Sequence, residues 1–188
     1  MKKILFILAL LISSPLIYAQ ELTVTPDGLR DKSNVEKTYV IIAAPNKTAE
    51  QSYNNIITYI NKTYKNPQEV IKGDVKSEYL RFNTHVSSFL VIKNSGVKVD
   101  IDANYTIELA FKNDRVKFEV TDLDMHNSSN YNVLFSGGAF AGFPIYNKKK
   151  TKLVRPDTKN EIEIYFNNTI SSIKSYLLEE VKSDDDDW

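Results

Sequence analysis

No cysteine occurs anywhere in the chain. That removes disulfides, thiol catalysis and cysteine-ligated metal sites together. Net charge is absent as well: 24 Lys and Arg balance 24 Asp and Glu. The two signs are interspersed over most of the chain, so no long-range field draws in nucleic acid or an acidic membrane. Histidine is scarce, leaving His85 and His126 as the candidate imidazole bases. Beyond the N-terminal residues no apolar run approaches membrane-spanning length. A chain lacking these devices is held by its core, and 42% apolar residues, with eleven Tyr and nine Phe, suffice for one domain in 188 residues.

What is present begins with residues 1–19, which have the form of a signal peptide. Lys2 and Lys3 make a basic start, Ile4 to Ile12 an unbroken apolar run, and Ser13-Ser14-Pro15 a break. Ile17-Tyr18-Ala19 then offers a small residue at the cut, which predicts a mature chain from Gln20. The run is short for a span and Pro15 interrupts it. With no cysteine to carry a lipid, the mature chain is expected to be soluble, periplasmic or secreted.

The clearest pattern lies between Val97 and Asp122. Val97, Val99, Ile101, Ala103, Tyr105, Ile107, Leu109 and Phe111 occupy every odd position, and mostly polar residues fill the even ones. Period-two alternation predicts a strand with one face buried and one wet. Lys112-Asn113-Asp114-Arg115 supplies a turn, after which Val116, Phe118 and Val120 resume the alternation. With Asn113-Asp114 at the centre of the turn, Phe111 faces Val116, Leu109 faces Phe118 and Ile107 faces Val120, so the apolar faces coincide.

Around this hairpin, residues 20–37 are polar, with a turn at Thr25-Pro26-Asp27-Gly28, and predict an arm laid on the domain. Thr38 to Ala44 predicts a short buried strand. Asn46 is a candidate cap for a helix over about residues 47–62, with Tyr53, Ile56, Ile57 and Ile60 at helical spacing. Glu69 to Val75 and Glu78 to His85 predict two strands joined by a turn over Lys72 to Lys76, whereas Ser87 to Asn94 fits strand or short helix. Past Asp122 regularity is expected to stop, and Gly137 to Pro144 to be irregular. From about Asp157 a second helix carries Ile162, Phe166, Ile170, Ile173, Leu177 and Val181 along one stripe. Residues 183–188, with Asp184 to Asp187 and Trp188, form an acidic tail. One domain over residues 38–182 follows, of the α+β class: a curved antiparallel sheet with both helices packed on its apolar face.

Several of these stretches resemble a family of exported bacterial proteins of unknown function with a TATA-binding-protein-like (TBP-like) fold. The similarity runs through Leu22-Thr23-Val24-Thr25-Pro26-Asp27-Gly28, Tyr39-Val40-Ile41 and Lys47-Thr48-Ala49-Glu50-Gln51-Ser52-Tyr53, with Tyr59 where the family often has Trp. It is clearest over Tyr105-Thr106-Ile107-Glu108 and from Asn113 to Asp122, and it extends to Glu163-Ile164-Tyr165-Phe166-Asn167. Between Gly73 and Phe82 the family's acidic, Gly-rich turn is only partly present. The resemblance implies a sheet with two helices on one side. It implies no activity, cofactor or catalytic residue, and the fold's name does not imply DNA binding.

Candidate chemistry is thin. Glu108 and Glu119 fall opposite each other on the wet face, where paired carboxylates can share a proton or hold a cation; the plainer reading is two solvated carboxylates near Lys117 and Lys98. Asp122, Asp124 and His126 stand at i, i+2 and i+4, on one side if the strand continues, and offer two hard oxygen donors and an imidazole to a divalent metal. Asp-rich strand exits into loops are, however, ordinary. Gly137 to Phe143 lacks the Lys-Ser/Thr of a phosphate loop, and Ser136 sits in no nucleophile elbow. Phe135, Phe140, Phe143 and Tyr146 are costly to solvate together, and so predict either packing over the sheet edge or a hydrophobic ligand or partner surface. The basic run from Lys148 to Arg155 suits anionic lipid or polysaccharide, or simply a solvated loop.

The sequence therefore predicts an exported, non-catalytic binding or interaction module of the cell envelope, without cofactor. Its partner would be an envelope protein or small ligand met through Phe135, Phe140, Phe143 and Tyr146, with no nucleic acid and no stable membrane insertion after leader removal. The alternatives are a metal-dependent hydrolase using Asp122, Asp124 and His126, and a structural envelope component.

Overall fold

The computed structural model describes residues 20–94, 96–129, 131–138 and 142–179. The expected signal peptide (1–19) and the acidic tail (183–188) lie outside the described residues, as does Val181. In chain order the elements are β1 (Leu22–Thr25), β2 (Gly28–Asp31), β3 (Tyr39–Ala43), α1 (Ala49–Thr63), the single turn α2 (Pro67–Val70), β4 (Ile71–Val75), β5 (Tyr79–Asn94), β6 (Val97–Lys112), β7 (Arg115–His126), β8 (Val133–Gly137), β9 (Phe143–Asn147) and α3 (Pro156–Leu178).

The β6–β7 hairpin takes the register its apolar pattern dictates: Phe111 opposes Val116, Leu109 opposes Phe118 and Ile107 opposes Val120. Strands β4 to β7 form an antiparallel meander, and β3 returns to pair with β7, giving the order β3-β7-β6-β5-β4. Both helices lie on the apolar face. Helix α1 buries Tyr53, Ile56, Tyr59 and Ile60, and α3 buries Ile162, Phe166, Ile170, Ile173 and Leu177. They meet Leu80, Phe82, Ile107, Leu109, Val116 and Phe118 from the sheet in one core. Each such large side chain contributes about 1.5–3 kcal/mol on burial. The protein is thus an α+β domain with a large antiparallel sheet covered on one face by helices.

Local physics moves several boundaries from where the sequence suggests them. Helix α1 is capped by Thr48, whose hydroxyl accepts from the Gln51 amide while the Gln51 side chain accepts from the Thr48 amide. Asn46 instead takes a left-handed conformation, φ 62°, in the preceding turn. The strand expected from Glu69 starts at Ile71, because Pro67 opens a helical turn, and it runs on to Val75 through the expected turn. Ser87 to Asn94 is strand, continued past a register shift between Val86 and Leu90. There Ser88 has φ 52°, and its amide donates to Asp102 Oδ1 at 2.8 Å.

Within residues 20–37, expected as an arm laid on the domain, Leu22 to Asp31 form the β1–β2 hairpin, which α3 holds by side chain to backbone bonds: Asn167 accepts from the Leu22 amide at 2.8 Å and donates to its carbonyl at 3.0 Å. Regularity does not stop at Asp122: β7 runs on to His126, and β8 and β9, paired in parallel, take in Gly137 and Phe143-Pro144 at the two ends of the stretch expected to be irregular.

Candidate functional site

On the sheet face opposite the helices, polar side chains from β3, β5, β6 and β7 converge. Pairing fixes its rows. Tyr39 aligns with Glu119 and Glu108, then Arg81; the next row is Ile41, Lys117, Ala110 and Tyr79; the last is Ala43, Arg115 and Lys112. At this end of the sheet Tyr39, Ile41, Ala110, Lys112, Arg115 and Lys117 line a shallow depression of about 390 Å³. Its floor is apolar and its rim carries three cations. The Lys117 ammonium lies 4.6 Å from the centre of the Tyr39 ring and 2.6 Å from a Glu119 oxygen. Lys112 and Arg115 have no ion-pair partner among the described residues.

The two opposed glutamates have separate partners. Glu108 accepts from the Tyr79 hydroxyl at 2.9 Å and from the Thr121 hydroxyl at 3.1 Å. Burial, and then this bond to Glu108, raise the Tyr79 phenol above its ordinary pKa. Burial pushes Glu119 up, but Lys117 and the Thr38 hydroxyl more than offset it and hold the carboxyl below the usual range. The two side chains are thus held by different groups, Glu108 by two hydroxyls and Glu119 by one hydroxyl and one ammonium.

Asp122, Asp124 and His126 do not follow simple alternation, because a register shift falls between the pairs Thr106–Thr121 and Asn104–Asp124. Asp122, at φ 52°, sits in this bulge with its carboxylate 3.4 Å from the Thr106 hydroxyl. Asp124 and His126 do meet, at 3.0 Å between Oδ2 and Nδ1. They form no hydrogen bond there, and among the described residues His126 Nδ1 is buried without a hydrogen-bonding partner. Among the described residues no group of three or more His, Asp and Glu side chains is placed to hold a metal ion. His85 bonds Asn104 at 2.9 Å and Ser87 at 3.2 Å on β5 and β6, while Ser136 lies on β8.

The aromatic surface expected from Phe135, Phe140, Phe143 and Tyr146 is largely turned to the fold's own use. Phe143 is buried at 7% exposure, and Phe135 and Tyr146 pack half-buried against the core. The Tyr146 hydroxyl donates to the Val24 carbonyl at 3.0 Å, tying β9 to β1. Phe140 lies outside the described residues. Of the basic run, Lys150 pairs with Asp27, and the Arg155 guanidinium lies 5.2 Å from the centre of the Phe143 ring.

The depression itself escapes a reading of the sequence. Tyr39 and Ile41 sit in a continuously apolar segment that gives no facing, and only the pairing of β3 with β7 brings them beside Lys117. The usable signal is Lys112, Arg115 and Lys117 flanking one tight turn.

No family model matches the chain, and no curated protein is similar to it. Among solved structures, it is similar to a TBP-like protein from Parabacteroides distasonis, with a TM-score of 0.51 and 11% identity over 74% of this chain and 90% of that one. The fold is TBP-like. The chain is also similar to a DUF4468 family protein from Bacteroides ovatus, with a TM-score of 0.53 and 14% identity over 77% of this chain and 88% of that one. Both neighbours agree with the resemblance drawn from the sequence, and neither name assigns an activity. Among the described residues of this TBP-like domain, no helix is long and apolar enough to cross a membrane.

Proposed function

We propose that this protein is an exported, non-catalytic binding module of the cell envelope. It recognises an anionic segment bearing an apolar side chain, presented by a partner protein, through the depression on its open sheet face. One observation carries the reading: Lys112 and Arg115 stand without ion-pair partners among the described residues, beside a half-exposed apolar floor of Tyr39, Ile41 and Ala110. Cations around an uncovered apolar patch match a ligand that supplies both carboxylates and a hydrophobic anchor. Nucleic acid fits poorly, because Glu119 and Glu108 lie one row away and repel a phosphate chain. Export rests on the form of residues 1–19, and the non-catalytic role on open-face hydroxyls and carboxylates that bind one another.

The test is an NMR titration of the isotope-labelled mature chain with the blocked peptide acetyl-Glu-Glu-Phe-amide. Shifts are expected on β3 and around the β6–β7 turn, and they should vanish in the Lys112→Glu/Arg115→Glu variant. Shifts scattered over the surface, or persisting in that variant, would overturn the reading.

A further inference from the structure

We infer that the acidic segment from Asp184 to Trp188 of this same chain docks in the depression and regulates access to it. This rests on the reading above and deepens it, since it names the groove's resident occupant. Residues 180–188 lie outside the described residues, but the point where the chain leaves α3 is well placed. The Glu179 carbonyl accepts from the Lys47 ammonium at 2.9 Å. The Lys47 carbonyl in turn accepts from the Asp114 amide at 2.9 Å, in the β6–β7 turn between Lys112 and Arg115. The chain therefore departs at the end of the sheet that carries the depression.

Reach is ample. Asp184 is five residues beyond Glu179, a span of up to about 17 Å, and Trp188 extends it to roughly 30 Å. Passing from the helix layer to the open face takes on the order of 10 Å. The chemistry is complementary on both counts. Four consecutive aspartates meet Lys112, Arg115 and Lys117, and an indole meets the floor of Tyr39, Ile41 and Ala110. Because the segment is tethered, it competes at high effective concentration, and an external anionic segment must displace it.

Trp188 is the single tryptophan of the chain, so its fluorescence reports the docking directly. In the full mature chain its emission is expected to be blue-shifted and protected from acrylamide. The Lys112→Glu/Arg115→Glu variant, or about 0.5 M salt, should abolish both properties. Emission already typical of water-exposed indole, or protection unchanged in the variant, overturns the proposal. Protection that disappears on dilution also overturns it, because the occupant is then the tail of a second copy.

A second variant separates this inference from the reading beneath it. With Asp184→Asn, Asp185→Asn, Asp186→Asn and Asp187→Asn together, the chain should bind acetyl-Glu-Glu-Phe-amide more tightly than the parent does. Equal binding by both chains overturns the tail and leaves the groove reading standing. No binding to either overturns the groove reading, whatever Trp188 reports.

Discussion

Gly142 shows how one residue can be obligatory for reasons the sequence hides. It has φ 133°, and a Cβ built there would meet the Asn132 carbonyl oxygen at 2.2 Å, while the next amide, of Phe143, donates to that same carbonyl at 2.8 Å. Neither the conformation nor the contact admits a side chain. Gly142→Ala should therefore cost about 3 kcal/mol, seen as a lowered denaturation midpoint with an unchanged slope. A loss of a few tenths would mean that the loop simply re-forms. Tyr105 makes a related point in the core. Burial, and then its bond to the Tyr165 hydroxyl at 2.7 Å, hold the phenol protonated far above its ordinary range. It serves there as a hydrophobic side chain with one satisfied polar tip.

At the scale of elements, the β1–β2 hairpin depends on α3. Glu163 accepts from the Thr23 hydroxyl at 2.6 Å and the Val24 amide at 2.8 Å, and it pairs with Lys159. Burial raises the Glu163 carboxyl, but Lys159, Thr23 and Val24 more than offset this and depress its pKa below the ordinary value. A carboxyl depressed in the folded state stabilises above its unfolded pKa of about 4.3, and that stability is lost as pH falls through the folded value. Acid should therefore release the hairpin from α3, read as faster exchange of the Val24 amide than of β6 amides. Glu163→Gln should flatten this pH dependence, and Glu163→Ala should cost about 2 kcal/mol at neutral pH. A pH dependence unchanged in Glu163→Gln would place the acid sensitivity elsewhere.

For the molecule as a whole, the three central strands form the stable body and the two small sheets are attachments. Strand β6 is paired on both sides and covered by helices, whereas β1–β2 and β8–β9 are two-stranded units lying on α3 and the end of β7. Hydrogen exchange should rank accordingly, slowest in β5 to β7 and fastest in β8–β9 and β1–β2, because two-stranded units have little stability of their own. Equal protection throughout would instead make the domain a single cooperative unit. Among the described residues the sheet face opposite α1 and α3 stays uncovered, since both helices are committed to the other face.

The sequence by itself determined the α+β class, the β6–β7 register and the two helix stripes, because each of these is written in local periodicity. Phe111 to Val116 reads the same in the chain and in the fold, since the turn and the apolar face leave one register. Tertiary structure alone decided the rest. The partner of β3, the clasp of Asn167 on Leu22 and the burial of Phe143 are contacts between residues far apart in the chain, and no local pattern encodes them. The bulge at Asp122 is of the same kind, for one inserted residue breaks the alternation that the spacing of Asp122, Asp124 and His126 predicts. The depression of Tyr39, Ile41, Ala110, Lys112, Arg115 and Lys117 belongs there too. Two distant strands build it, and neither reveals which of its faces will be left to water until the helices have covered the other.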